Sequence, residues 1–172
     1  MQSVLLPAAM LGLLWLGSCT RTTPLERALA AGHRQLRDQQ WDRAEREFGR
    51  ALRLRPGHAP AFAGRSAARI GLTRYEDALA DLDAALAAEP GRLSWRSRRG
   101  VLLLTMGRPA EGLVELERVL AKAPDHAASV IGRAMIHLRL GRCPEALRDF
   151  GHARRLGVPV PPEWPAGCRS KP

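Results

Sequence analysis

Residues 75–90 read YEDALADLDAALAAEP, and the chain repeats this pattern at a fixed interval, as WDRAEREFGRALRLRP at 41–56 and PAEGLVELERVLAKAP at 109–124. The closing prolines, Pro56, Pro90 and Pro124, therefore stand 34 residues apart. Each ends an Ala/Leu-rich segment with helical spacing, because proline cannot extend the hydrogen-bond ladder. Fixed-period self-similarity of this length predicts a solenoid of helix–turn–helix units. With 172 residues, 45% of them hydrophobic and only 5% aromatic, the composition suits one helical domain rather than two globular ones.

Alignment on the period gives four units, 25–58, 59–92, 93–126 and 127–160. Small residues recur at the expected crossing of the two helices: Gly32, Ser66, Gly100 and Ala134 in the first, Ala44, Ala78, Gly112 and Ala146 in the second. Only side chains of that size let antiparallel helices approach closely. Bulky residues follow in phase, with Trp41 and Tyr75 opening second helices and Phe48, Leu82, Leu116 and Phe150 seven residues on. Pro109 and Cys143 replace the opening aromatic in the last two units, and a proline is tolerated there because the first helical turn has a spare N–H. Gly107 and Gly141 mark turns inside the last two hairpins, and Gly112 weakens its helix by about 1 kcal/mol relative to alanine. These columns resemble the tetratricopeptide repeat over about 136 residues, 25–160. The resemblance implies an all-α, right-handed superhelical solenoid of four repeats. Beyond it, 161–172 is proline-rich, and an extended tail is expected to run back along the last helix with Trp164 over its exposed side.

Arg65, Arg99 and Arg133 share one phase of the first helices, and Asp81, Glu115 and Asp149 each follow 16 residues later. A structural Arg–carboxylate pair within each hairpin is expected; the alternative is an arginine ladder aimed at an anionic ligand. Glu47 shares the acidic column, but its partner position is Ala31. By resemblance, the concave groove is built from His33, Leu36 and Arg37, then Ala67, Ile70 and Gly71, then Val101, Leu104 and Thr105, then Met135, Leu138 and Arg139. Such a groove accepts an extended peptide or a partner helix along an apolar floor, with Arg37 or Arg139 receiving a carboxylate. Ile70, Leu104 and Leu138 serve equally well as core. The sequence lacks the Lys/Asn combination by which some relatives clamp a C-terminal carboxylate.

Val4–Leu16 is an uncharged apolar run of 13 residues, about 20 Å as a helix and too short for a bilayer of about 30 Å. It reads as a signal-peptide core and leads into Leu16-Gly17-Ser18-Cys19, which resembles the lipobox of bacterial lipoproteins. That resemblance implies a signal peptide over 1–18, acylation of Cys19 and a short linker over 19–24. With Thr20 rather than Asp after the cysteine, it points to the outer membrane, facing the periplasm, in a Gram-negative host. The alternatives are an ordinary secretory signal with a coincidental cysteine, or a short signal anchor. Met1-Gln2-Ser3 carries no basic residue, a departure from the usual start.

Once Cys19 is acylated, Cys143 and Cys168 remain as a possible disulfide pair in an oxidising compartment, the alternative being two free thiols. The five histidines form no metalloprotease pattern, and neither a Cys-x-x-Cys pair nor a glycine-rich phosphate loop is present, so catalysis, cofactor and metal are not expected. The net charge of +10 comes with no basic block longer than two residues and no base-stacking aromatic stripe, which argues against a nucleic-acid partner. Two functions then compete. One is a membrane-anchored, non-catalytic scaffold binding other proteins in the cell envelope, as tetratricopeptide lipoproteins do in pilus or secretion-complex assembly. The other is a basic binder of anionic envelope polymer or lipid.

Overall fold

The computed structural model describes residues 22–160; the expectations for the leader, Cys19, Trp164 and Cys168 fall outside them. The described residues form eight helices and no strand: α1 Pro24–Arg37, α2 Trp41–Leu54, α3 Ala59–Gly71, α4 Tyr75–Ala88, α5 Leu93–Thr105, α6 Pro109–Lys122, α7 Ala127–Arg139 and α8 Cys143–Arg155. Consecutive helices pair as four hairpins.

Local chemistry sets the ends. Thr23 and Glu26 form a reciprocal capping box, so α1 starts at Pro24, within the stretch read as linker. His58 and His126 cap α3 and α7 through Nδ1, which accepts from the Ala61 and Ser129 amides. The second helices of the first three units stop one residue short of Arg55, Glu89 and Ala123, which precede the three phased prolines, because a residue before proline disfavours the helical region.

Each hairpin turns through one motif. The amide after the turn reaches back five residues, as Gln40 to Gln35, Arg74 to Arg69, Arg108 to Leu103 and Arg142 to His137, the double hydrogen-bond closure of a helix ending in a left-handed residue. That residue is Gln39, Thr73, Gly107 or Gly141, with φ of 55°, 58°, 77° and 71°. The first two lack the glycine that signals the turn in the others, and β-branched Thr73 is the most strained.

Within a hairpin the helices cross where the small residues lie. A Cβ built on Gly112 would stand 2.5 Å from the carbonyl oxygen of Gly100. Gly112 is therefore a requirement of the crossing, and the weakness it brings to α6 comes with that geometry. The expected ion pairs form in all three units, two as close forks and one at longer reach. Arg65 binds Asp81 with a two-pronged fork at 2.9 and 2.7 Å, and Arg133 binds Asp149 at 2.8 and 2.7 Å. The third unit departs: Arg99 turns to Asp83 at 2.6 Å and lies 3.5 Å from Glu115. Glu115 reaches one methylene further than the aspartates and is held by Arg96 at 3.0 Å instead.

Between hairpins the packing is uneven, and one column accounts for it. A Cβ on Gly64 would collide with Phe48, and one on Gly132 would meet Leu116 and Val101 at 2.9 Å, so at these positions a first helix lies directly on the preceding unit. The third unit has Arg98 in that column. Its side chain holds α5 off, and α4 and α5 form the least closely packed of the three joints. First helices also touch across units, α1 with α3 and α5 with α7, which makes them the inner layer of the array.

Two substitutions test these constraints in opposite directions. Gly112→Ala gains roughly 1 kcal/mol of helix propensity but meets a fixed backbone oxygen, an overpacking of about 1–3 kcal/mol, so the urea midpoint falls. Thr73→Gly relieves left-handed strain of about 1–3 kcal/mol against an entropic cost of about 0.5–1 kcal/mol, so the midpoint rises. Equilibrium urea unfolding of both variants reads the signs.

Candidate functional site

The open joint creates a hollow between α3 and α5 on the inner layer, about 300 Å³, lined by Ala67, Ile70, Arg98, Val101, Leu102 and Thr105. Ala67, Ile70, Val101 and Thr105 are four of the groove positions expected from the sequence, and the fold brings them together. Ile70 also packs against the cluster of Ala78, Leu82 and Leu102, so it serves core and hollow at once. The other expected groove residues do not line this hollow. Leu36 packs against the first core cluster, Leu104 and Leu138 are half-buried, and Arg37, Arg139 and Met135 are exposed. His33 stands edge-on to Phe48 with ring centroids 5.1 Å apart.

Arg98 went unrecognised in the sequence because its column, occupied by Gly64 and Gly132, reads as packing. The available signal was a cation in a column of small residues. Its Nη1 donates to the Ala63 carbonyl oxygen at 3.0 Å, while the residue as a whole stays exposed at the mouth of the hollow. Contact with protein desolvates the guanidinium and holds its pKa below the usual arginine value. No carboxylate of the described residues pairs with it, whereas Arg65, Arg69, Arg96, Arg99 and Arg133 all meet an acid. The hollow thus offers an apolar wall and one cation with free donors, the recognition elements for an anionic group on an apolar segment.

The remaining reactive side chains have structural occupations. His58 and His126 cap helices, and His152 lies 2.9 Å from Asp125. His137 is buried beside Asp149 at 4.0 Å, with an Nδ1 that has no hydrogen-bond partner. Cys143 opens α8 and is disulfide-bonded to a residue outside the described range. No cluster of described residues could hold a metal ion.

The hairpin geometry agrees with family comparison. Tetratricopeptide-repeat family profiles match 29–92 and 69–129. Residues 29–129 are tetratricopeptide repeats. Solved structures agree at the level of fold. MamA from Desulfovibrio magneticus RS-1 is 20% identical with a TM-score of 0.69, over 77% of this chain and 75% of that one. MamA AMB-1 is 24% identical with a TM-score of 0.63, over 77% and 78%. YrrB, described as a tetratricopeptide protein with an unusual peptide-binding site, is 19% identical with a TM-score of 0.63, over 75% and 66%. No curated protein matches the sequence significantly. Tetratricopeptide arrays generally serve as scaffolds for protein–protein interaction, and the fold gives this chain that coarse role.

Three histidines give the array a pH dependence. Burial lowers the pKa of His33, His58 and His137, with Arg37 and Arg98 adding to the effect at His33 and Arg55 at His58. A histidine whose folded pKa is depressed leaves stability intact above its unfolded value of about 6.5, and stability is lost as pH falls toward the folded value. The urea midpoint is therefore expected to fall between about pH 7.5 and about pH 5.5, and His137→Gln is expected to flatten that slope. A midpoint constant across the range would contradict the assignment.

Proposed function

We propose that the repeats form a membrane-anchored scaffold of the bacterial cell envelope that binds an acidic segment of a partner protein in the hollow between α3 and α5. The observation that carries this reading is Arg98, a desolvated guanidinium on an apolar wall with no carboxylate partner among the described residues. A partner carboxylate would complete it. A charge-assisted hydrogen bond of this kind contributes about 1.5–3 kcal/mol, and Ala67, Ile70 and Val101 supply the apolar contact. The fold of YrrB, described with a peptide-binding site of its own, supports the use of such an array for peptides. A photo-crosslinking residue at Val101 is expected to capture one partner in cells, and Arg98→Ala to lower that capture at least about tenfold. Equal capture by the Arg98→Ala variant, or capture only from residues on the second helices, would place the partner elsewhere.

The anchor rests on the lipobox-like Leu16–Cys19 and its apolar leader; no helix of the described residues is long and apolar enough to cross a membrane. We further propose that Cys168 is the disulfide partner of Cys143, closing the tail over the last repeat, with an assembly role of the kind served by pilus or secretion scaffolds. Mass spectrometry of protein taken from membranes reads both covalent features. It is expected to show an acylated N-terminal Cys19 and a crosslinked Cys143–Cys168 peptide that separates on reduction. An unmodified Cys19, or a different partner for Cys143, would overturn the corresponding feature.

A further inference from the structure

The same joint has a second opening on the outer side, and its charge does not balance. The repeat supplies internal controls. Arg65, Arg69 and Arg74 of the second unit meet Asp81 and Asp77 of the same unit and Glu45 of the first, three cations to three acids. In the fourth, Arg133 meets Asp149. In the third, Arg96, Arg99 and Arg118 crowd the single buried Glu115, at 3.0, 3.5 and 3.2 Å. Asp83 relieves only Arg99. Lys122 lines an adjacent hollow of about 340 Å³ with Arg96, Arg118 and Ala121, and no carboxylate of the described residues pairs with it. Four cations against two acids leave an excess of two positive charges.

Two of those cations stand where the other repeats place apolar side chains. Arg96 occupies the column of Ala28, Phe62 and Val130, of which Ala28 and Val130 are fully buried in the core. Lys122 occupies the column of Leu54, Ala88 and Leu156. Holding a guanidinium in a core column costs desolvation that a valine would avoid, and Arg99 and Arg118 also reach the Glu115 that it serves. A bound phosphate would offset that cost, since guanidinium forks match phosphate oxygens and lysine adds a point charge.

We propose that this outer hollow, formed by Arg96, Arg118 and Lys122 beside Glu115, binds a phosphate group. The site is separate from the inner hollow and stands whether or not that one binds a peptide. The group is either a free phosphate or phosphomonoester, or the headgroup of an anionic lipid next to the anchor. Isothermal titration of the full chain with inorganic phosphate, at constant ionic strength, is expected to show one site. Affinity should fall at least tenfold in Arg118→Ala and Lys122→Ala, whose side chains lie at the surface, and stay unchanged in Arg98→Ala. Arg96→Val, which restores the residue of the fourth unit, should abolish binding, while Arg99 and Arg118 still reach Glu115. Glycerophosphoglycerol, a phosphodiester headgroup without its acyl chains, separates the sources. Comparable affinity for it indicates a lipid, and at least tenfold weaker binding indicates a free phosphate or monoester. No binding of either anion, or equal binding by the Arg118→Ala and Lys122→Ala variants, would overturn the site.

Discussion

One column of the repeat governs how the hairpins stack: Gly64, Arg98 and Gly132. Where it is glycine, α3 and α7 lie on Phe48 and Leu116 so closely that a methyl group would not fit. Close packing of this kind tolerates no added volume without displacement. Arginine at the middle position therefore separates α5 from α4, and one substitution opens the array at its centre. The inner hollow and the outer opening beside Asp83 and Glu115 are both lined by residues of this joint, and the phosphate hollow adjoins them along α5 and α6. The position that breaks the stacking pattern thus also lines the inner hollow.

Much of this was legible from the 34-residue period. The helix boundaries follow from the phased prolines, the crossings from small residues such as Gly100 and Gly112, and two ion pairs from the 16-residue offset of Arg65 and Arg133 from their acids. Period alone could not supply what departs from it. Glu115 sits in the acidic column, yet the length of its side chain and the presence of Arg96 redirect Arg99 to Asp83. The turns at Gln39 and Thr73 carry no glycine, so their left-handed backbone was invisible, although the last two turns announced theirs.

The groove shows the same limit more sharply. Among the family positions, Ala67, Ile70, Val101 and Thr105 line one hollow, because they recur regularly on the inner face of first helices. The family positions also included Leu36, Leu104 and Leu138, which lie outside it, since an apolar residue on an amphipathic helix serves core and surface equally well. Arg98 was passed over for the opposite reason. A column occupied by glycine in its neighbours looks structural, and only three-dimensional packing shows that breaking the column leaves a hollow.

Electrostatics then separates the two faces of α5. Arg96, Arg98 and Arg99 are near neighbours in sequence, but helical geometry turns Arg98 inward and sends the other two toward Glu115 and Asp83 on the outer side. Arg98 meets only a carbonyl and an apolar wall, a setting suited to one carboxylate from a folded or extended partner. Arg96 joins Arg118 and Lys122 around an acid already shared three ways, a setting suited to higher charge density. A basic protein of net charge +10 could spread its cations evenly over solvated surface. Here Arg65 and Arg133 each meet an aspartate of their own hairpin, while the same place in the third unit gathers Arg96, Arg99 and Arg118 around one Glu115.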